Sequence, residues 1–233
     1  MAIQDYAALA GLLDYPQEGF GAGVAEALPH LVPLYPAAAD ELTYFVEHIS
    51  KLSLDQAQEL YTRTLDVQAI TTLDLGYVLY GDDYKRGELL ANLNREHMDA
   101  GNDCGTELAD HLPNLLRLMA MLGKTEFVDE LVEHIIAPAL RSMVREFDKK
   151  RLERKTKFYR KSYKTLIDSS KDEATLYVHA LIGLYSVLQS DFALVPDVGT
   201  AEPGRNSDFL KFIGTEMEIE KSKNPTYALR GKS

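Results

Sequence analysis

The sequence predicts an all-α protein, a single-domain bundle of about eight to ten helices. Apolar residues recur with a spacing of three or four along most of the 233-residue chain, as they do on the buried face of a helix. No segment shows the alternation of apolar and polar residues that is typical of a half-buried strand. We expect the helical domain to span residues 1–190 and residues 191–233 to form a largely irregular tail.

Proline and glycine separate the first predicted helices. The pattern predicts a helix over residues 2–14 that ends at the Tyr15-Pro16 pair, because the residue before a proline disfavours the helical region. The GFGAG stretch at residues 19–23 then predicts a flexible turn. Further breaks are expected at Pro29, Pro33 and Pro36. The next helix fits residues 37–51, and its inward residues are Leu42, Phe45, Val46 and Ile49.

Capping signals mark the helices of the middle third. Ser53 and Gln56 match a capping box, which predicts a helix from Leu54 that carries the sequence YTRTLD at residues 61–66. A helix over residues 69–80 should follow and run into Gly81. The next helix should begin near Asp82 or Asp83, since either aspartate can cap it. Gly101 suits the left-handed position just past the end of that helix, and residues 102–109 are expected to form a loop.

From residue 110 onwards, the sequence predicts three further helices. Asp110 is the expected N-cap of the first, and Pro113 then falls in the first turn, where its missing N–H is harmless. The apolar stripe of this helix is Leu112, Leu115, Leu116, Met119 and Leu122. A long helix should start near Thr125 and be kinked or interrupted at Pro138. A final amphipathic helix fits residues 172–189.

Charge and composition exclude several classes of protein. The net charge of −11 argues against a nucleic-acid partner, because attraction to phosphates needs an excess of Lys and Arg. Residues 149–164 are the exception, with nine Lys/Arg and one Glu, and we expect them to form a basic helical segment. No signal peptide and no run of about 20 apolar residues is present. We therefore expect a cytoplasmic protein with no stable membrane insertion.

The sequence contains histidine, acidic residues and a cysteine, but their spacing does not match a catalytic or metal-binding motif. None of the six histidines has a glutamate three residues before it, so the Glu-x-x-His motif of di-iron bundles is missing. Glu130 and His134 lie one helical turn apart, but their neighbours offer no third metal ligand. Cys104, the one cysteine, lacks an evident orienting group for a nucleophilic role. We expect no catalytic residue, no bound metal and no cofactor.

Three segments of the sequence resemble the assembly chaperones of molybdenum reductases, and the nitrate reductase delta-subunit group in particular. They are YTRTLD at residues 61–66, YGDDYKRG at 80–87 and ELADHLPNLLRLMAML at 107–122. The opening LLDYP at residues 12–16 is also similar to that family, and the resemblance covers about residues 5–145. Three positions depart from the family pattern: Leu65 replaces an aromatic residue, Tyr80 a histidine and Ala109 a proline.

The resemblance implies an all-α, TorD-like chaperone without catalytic activity. Such a chaperone binds the apo catalytic subunit of a molybdenum-containing oxidoreductase, often by its N-terminal segment or twin-arginine leader, and assists insertion of the molybdenum cofactor. Some relatives form homodimers by exchanging helices, so a homodimer is possible here. The residues that the resemblance and the local charge suggest for partner binding are Tyr61, Asp66, Tyr80, Asp82, Asp83, Arg86, Glu107, Asp110, His111 and Pro113.

Acidic residues should contact the basic residues of a bound peptide helix, whose apolar face lies in a groove. We expect Asp66, Asp82, Asp83, Glu107 and Asp110 to form this rim. Replacing Asp82 or Asp110 should then weaken peptide capture while leaving the fold intact. Two alternatives stay open: an adaptor that binds another helix or an anionic surface through residues 149–164, and an enzyme that uses Cys104 or a histidine.

Overall fold

The computed structural model describes residues 5–67, 69–148 and 175–194, and all regular structure in these ranges is helical. Where α8 and α9 are counted as one continuous helix, the described residues form nine helices. The predicted all-α bundle of eight to ten helices is therefore confirmed. The α-helical segments are α1 (Asp5–Gly11), α2 (Phe20–Leu34), α3 (Ala39–Ile49), α4 (Leu54–Tyr61), α5 (Leu75–Tyr80), α6 (Tyr84–Ala100), α7 (Leu112–Leu122), α8 (Glu126–Leu131), α9 (Ala137–Glu146) and α10 (Leu176–Phe192).

Two π-helical turns interrupt the α-helical pattern. One, Thr62–Asp66, continues α4, and the other, Val132–Ile136, joins α8 to α9. The second turn ends at Ile136, two residues before Pro138, which lies in the first turn of α9. Proline has no N–H to donate to the carbonyl four residues earlier. The change from π-helix to α-helix just before Pro138 is the interruption that the sequence predicts there.

One apolar core holds the helices together, and α7 lies near its centre. The apolar side chains of α7 that are fully buried are Leu112, Leu115, Leu116, Leu118 and Met119. Helix α7 packs against α1 and α6, α3 packs against α2 and α10, and α9 packs against α5 and α10. The four inward residues predicted for α3 are all buried, which confirms that part of the periodicity.

Helix α10 is fixed at its middle and at its end. A Cβ atom at Gly183 would lie 2.6 Å from Leu42 Cδ2, so only glycine allows α10 to approach α3 this closely. Near the end of α10, Asp191 Oδ2 accepts hydrogen bonds from the hydroxyls of Tyr6 at 2.7 Å and Tyr35 at 3.0 Å. The helix thus continues past residue 190. The predicted basic segment at 149–164 and residues 195–233 of the predicted tail lie outside the described residues.

The prediction for residues 19–36 is wrong in part. In the GFGAG stretch only Gly19 has a turn conformation, with φ of 84°, and a helix runs from Phe20 through two of the three expected breaks. The break expected at Pro36 is confirmed, because Pro36 lies in the turn between α2 and α3. Pro29 and Pro33 lie one turn apart on the exposed side of α2, where water can reach the carbonyl groups that these prolines leave without a helical donor. Gly21 lies close to the backbone of Ser50, so this glycine allows close packing rather than a turn.

The predicted helix over residues 69–80 is shorter than expected, since α5 begins only at Leu75. The N–H groups of Ile70 and Thr71 both donate to the carbonyl of Thr64, at 3.0 and 3.1 Å. The N–H of Leu75 donates to the carbonyl of Asp110 at 3.0 Å. These tertiary hydrogen bonds replace the helical ones that local pattern predicts. In the described ranges no helix is both long and apolar enough to cross a membrane.

Candidate functional site

Two of the segments singled out in the sequence are joined by a backbone bridge. Asp74, directly before α5, pairs with His111, directly before α7, in an isolated antiparallel bridge. The N–H of Leu75 donates to the carbonyl of Asp110 at 3.0 Å, and the N–H of Leu112 donates to the carbonyl of Leu73 at 2.9 Å. The starts of two helices are therefore fixed against each other, and their polar side chains meet.

Asp110 lies inside the protein and not on a rim. Its relative exposure is 0%, and its Oδ2 accepts hydrogen bonds from the N–H of Gly76 at 3.0 Å and from Arg86 Nε at 3.4 Å. The N-cap of α7 is His111, so the predicted capping role of Asp110 is wrong as well. Burial raises the pKa of the Asp110 carboxyl, and the charge of Asp74 raises it further, against the opposing effect of Arg86.

Arg86 connects the two aspartates of this cluster. Its Nη2 donates to Asp74 Oδ2 at 3.1 Å, while its Nε contacts Asp110, and its guanidinium lies 5.4 Å from the centre of the Tyr77 ring. The side chain is only 20% exposed. Arg86 was predicted as a partner-binding residue, but its donors are directed at groups of its own chain. Its contacts tie α6 to the starts of α5 and α7.

His111 extends the cluster towards the surface. Its Nδ1 donates to Asp74 Oδ1 at 3.0 Å and lies 3.8 Å from Oε2 of the exposed Glu107. The hydrogen bond from His111 is the main reason that the pKa of Asp74 is lowered. Sequence reasoning missed Asp74, although an acidic residue directly before the apolar sequence LGYVLY is a typical helix-start signal. Its partners lie 12 and 37 residues away, which no local pattern reveals.

A second group of buried polar side chains supports the loop before α7. His97 donates from Nε2 to the carbonyl of Ala109 at 2.9 Å, because a carbonyl oxygen can only accept. The amide of Asn102 donates to His97 Nδ1 at 2.9 Å, so this ring is neutral with its proton on Nε2. Burial lowers the pKa of His97 in agreement with that assignment.

Asn114 completes the support of this loop from α7. Its amide donates to the carbonyls of Cys104 at 3.3 Å and Leu108 at 3.1 Å. The loop therefore has a fixed shape and presents Glu107 and Leu108 to solvent. Burial raises the pKa of the Cys104 thiol, which is opposite to the shift that activates a nucleophilic cysteine.

Tyr61 lies beside this cluster, with acidic side chains from several segments near it. Its ring is 6% exposed and packs edge-on against Tyr15 at 5.3 Å and against Tyr177 at 5.8 Å. Burial is the main cause of its raised pKa, and the four carboxylates that raise it further are Glu107, Asp14, Asp66 and Asp74. These acids come from four separate segments of the chain. We call the group formed by Asp14, Tyr15, Tyr61, Asp66 and Glu107 the Tyr61 surface.

The first π-helical turn places Asp66 on this surface. The N–H of Val67 donates to the carbonyl of Thr62 at 2.9 Å, which is the five-residue spacing of a π-helix. Residues five apart then lie above one another, whereas in an α-helix residues three and four apart do so. Asp66 consequently lies on the same side as Tyr61, one turn further along, and is exposed to solvent.

The other predicted contact residues lie around the start of α6 or inside the core. Asp82 and Asp83 are exposed, and Asp83 caps α6 by accepting the N–H of Lys85 at 3.0 Å, which confirms the prediction that one of the two aspartates caps this helix. Tyr80 is partly buried, and this burial raises its pKa. Pro113 is buried in the first turn of α7, as predicted for its position in the helix.

The predicted site residues thus form three sets. Glu107 and Asp66 lie on the Tyr61 surface, with Tyr61 beneath them, and Asp82 and Asp83 lie apart at the start of α6. Those of the buried cluster and its surroundings are Arg86, Asp110, His111, Tyr80 and Pro113. Within the ranges that the structure describes, no three His, Cys, Asp or Glu side chains are grouped in a way that could hold a metal ion.

No protein-family model, curated protein or solved structure matches this chain. The resemblance to the molybdoenzyme assembly chaperones therefore stays a prediction that depends on its three motifs. Within this fold, two of the motifs contribute Arg86, Asp110 and His111 to the cluster around Asp74.

Proposed function

We propose that this protein is a cytoplasmic assembly chaperone for a molybdenum-containing oxidoreductase of the dimethyl-sulfoxide reductase superfamily. It binds the apo catalytic subunit, by its N-terminal segment or leader peptide, and assists molybdenum cofactor insertion before export or membrane docking. The chaperone itself holds no cofactor and catalyses no reaction.

The observation that carries this proposal is the convergence of the motif segments. Residues 80–87 contribute Arg86 and residues 107–113 contribute Asp110 and His111 to one cluster, in which Asp74 accepts hydrogen bonds from both Arg86 and His111. Segments that together form one site must meet in space, and these two do. Residues 61–66, the third segment, lie beside this cluster, because the charges of Asp74 and Glu107 both act on Tyr61.

The chemistry of the cluster supports a binding protein more than an enzyme. Arg86 and His111 direct donors at carboxylates of their own chain, and the Asp110 carboxylate is fully buried. A substrate could not reach the Asp110 carboxylate without disrupting the starts of α5 and α7. Such a cluster instead fixes the loop that carries Glu107, so that an acidic surface is presented in one shape. Acidic surfaces of this kind favour basic partners and increase the rate of encounter with them.

The proposal can be tested with the full-length tagged chain in its native cell. We expect a molybdenum-containing oxidoreductase subunit to co-purify with it, and we expect the co-purified subunit to contain less molybdenum than the mature enzyme. Deletion of the chain should abolish or strongly reduce that oxidoreductase activity and leave the amount of the subunit's messenger RNA unchanged. Full molybdoenzyme activity in the deletion strain would refute the proposal.

A further inference from the structure

The buried Asp110 carboxyl has one oxygen without a hydrogen-bond partner among the described residues. Its Oδ2 accepts both hydrogen bonds of the side chain, from the N–H of Gly76 and from Arg86 Nε, whereas Oδ1 is buried and accepts none. An ionised carboxylate has about four acceptor positions. Two donors on a single oxygen leave the charged form poorly satisfied, and Oδ1 is the position at which a proton can bind.

The positive charge beside Asp110 is shared with a second carboxylate. Arg86 Nη2 lies 3.1 Å from Asp74 Oδ2, whereas Arg86 Nε lies 3.4 Å from Asp110 Oδ2, which is long for a charge-assisted hydrogen bond. His111 also donates to Asp74, at 3.0 Å. One guanidinium therefore stands between two carboxyl groups and is closer to Asp74. A charge on Asp110 is only partly compensated, and a buried charge of that kind is unfavourable.

The packing of α5 against Asp110 excludes water from the carboxyl. A Cβ atom at Gly76 would lie 2.6 Å from Oδ2, so the backbone of α5 is in direct contact with this oxygen. The Asp110 residue as a whole is 0% exposed. Burial and the charge of Asp74 both raise the pKa of Asp110, in agreement with this geometry. The carboxyl consequently meets water only when the starts of α5 and α7 separate.

Few hydrogen bonds hold these two helix starts together. We call residues 73–76 and 110–112 the α5–α7 junction. Helix α5 has only six residues, fewer than an isolated helix needs for stability in water. Its start is held by the N–H groups of Leu75 and Gly76, which donate to the backbone carbonyl and the side chain of Asp110, and by the bond from Leu112 to Leu73. Local opening of such a short element requires less free energy than global unfolding.

We propose that the α5–α7 junction is a proton-linked latch, in which Asp110 takes up a proton when the two helix starts close on it and releases the proton when they separate. A proton that binds the closed junction more tightly than the opened one favours closure. Opening therefore becomes more frequent as the pH rises above about 4, the ordinary titration range of an aspartate, until the closed junction has also lost its proton. The latch does not depend on the proposed function, because the chain opens and closes with or without a client.

Other titratable groups near the latch respond to pH in different ways. Asp74 has a lowered pKa because His111 donates to it, so it stays ionised while Asp110 titrates. His97 also has a lowered pKa and supports the loop before α7, so its protonation opposes closure at acidic pH. The charged and titratable groups around Asp110 are Asp74, Arg86, His97, Glu107 and His111. The test therefore compares chains that differ only at Asp110.

Hydrogen exchange of the Gly76 amide in the full chain, followed by NMR, measures opening of the junction. We expect its protection factor, which is corrected for the intrinsic effect of pH on exchange, to fall by up to about tenfold per pH unit in wild type. Leu42 is the reference amide for global unfolding, since its N–H donates to a backbone carbonyl in the buried part of α3. Gly76 should be protected at least about tenfold less than Leu42, because the junction opens without global unfolding.

Asp110→Asn isolates the contribution of the proton. Asparagine keeps a carbonyl oxygen for the N–H of Gly76 but cannot ionise, so relative to wild type the fall in protection with pH should be lost. Asp83→Asn is the matched control, because it also removes one carboxylate but at the exposed start of α6, where asparagine still caps the helix. The control should keep the wild-type pH dependence at Gly76.

A second measurement uses wild type alone and stays decisive if Asp110→Asn does not fold. An NMR titration of the aspartate carboxyl carbons follows each ionisation, and we expect Asp110 to ionise above the value of about 3.9 that is ordinary for an exposed aspartate. The proposal is overturned if Asp110 ionises at or below that value, or if Gly76 and Leu42 have equal protection. It is also overturned if Asp110→Asn keeps the wild-type pH dependence, or if Asp83→Asn loses it to the same extent.

Discussion

Replacing Gly76 by alanine tests the buried cluster most directly. Gly76 lies in the first turn of α5, and a Cβ atom at this position would be 2.6 Å from Asp110 Oδ2, 3.1 Å from Arg86 Cγ and 3.2 Å from Leu89 Cδ2. The same Oδ2 accepts the N–H of Gly76 at 3.0 Å. The carboxylate therefore cannot move away from the new methyl group without lengthening the hydrogen bonds that hold it.

The expected loss of stability follows from three contributions. Alanine favours a helix over glycine by about 1 kcal/mol, which stabilises the variant. Overpacking at a buried site costs about 1–3 kcal/mol. Weakening a hydrogen bond to a buried carboxylate costs about 1.5–3 kcal/mol more. We expect Gly76→Ala to lower the free energy of unfolding by about 1.5–5 kcal/mol.

Urea unfolding measures this change, and circular dichroism at 222 nm is the suitable signal because the chain has no tryptophan. Gly87→Ala is the matched control, since Gly87 also lies in a helix but a Cβ atom there meets nothing within 4 Å. The control should be stabilised by about 0.5–1 kcal/mol. A Gly76→Ala variant as stable as the control would show that Asp110 does not hold the position described above.

Three further predictions concern buried and capping polar groups. Asp110→Ala should lower the free energy of unfolding by about 2–4 kcal/mol in urea titrations, because Arg86 and the N–H of Gly76 lose a buried acceptor, whereas Asp82→Asn should change it by less than about 0.5 kcal/mol. His97 has a lowered pKa, so the unfolded chain takes up a proton that the folded chain does not, and stability should decrease as the pH falls below about 6.5. Urea midpoints at pH 7.5 and 5.5 should differ less in His97→Gln than in wild type, and an equal difference would contradict this. Ser53→Ala should remove the side-chain cap of α4, cost about 1 kcal/mol and lower Tm by about 2–4 °C, measured by thermal unfolding.

The features predicted well from the sequence are those that depend on residues close together along the chain. Both hydrogen bonds of the capping box between Ser53 and Gln56 are present, and Gly101 has the left-handed conformation expected past the end of α6, with φ of 69°. The apolar stripe of α7 is buried as predicted, apart from partial burial of Leu122. For the cap and for Gly101, neighbouring residues along the chain supply all the partners, and the stripe of α7 follows from its local periodicity.

Predictions failed where a distant segment supplied the partner. Asp110 has the residue type and the sequence position of a helix cap. In the structure its carboxylate lies in the interior and accepts hydrogen bonds from the N–H of Gly76 and the guanidinium of Arg86. Pro29 and Pro33 look like breaks, yet both face solvent while Leu31 and Val24 of the same helix are buried in the core. Tertiary packing overrides local preference at both places.

The candidate site could be predicted only in part for the same reason. Sequence motifs drew attention to Glu107, His111 and Asp66, which lie close to Tyr61 or to the cluster. Asp14 and Asp74 were missed, because only the fold brings them beside Tyr61.

The π-helical turn after α4 has a consequence for the evolution of this surface. Loss of one residue between Thr62 and Leu65 would let the backbone return to an α-helix, in which the aspartate would stand four residues after Tyr61. The acid would still lie on the side of Tyr61, because residues four apart share one face of an α-helix. Related chains that lack one residue of this turn should therefore still be able to place an acid beside Tyr61.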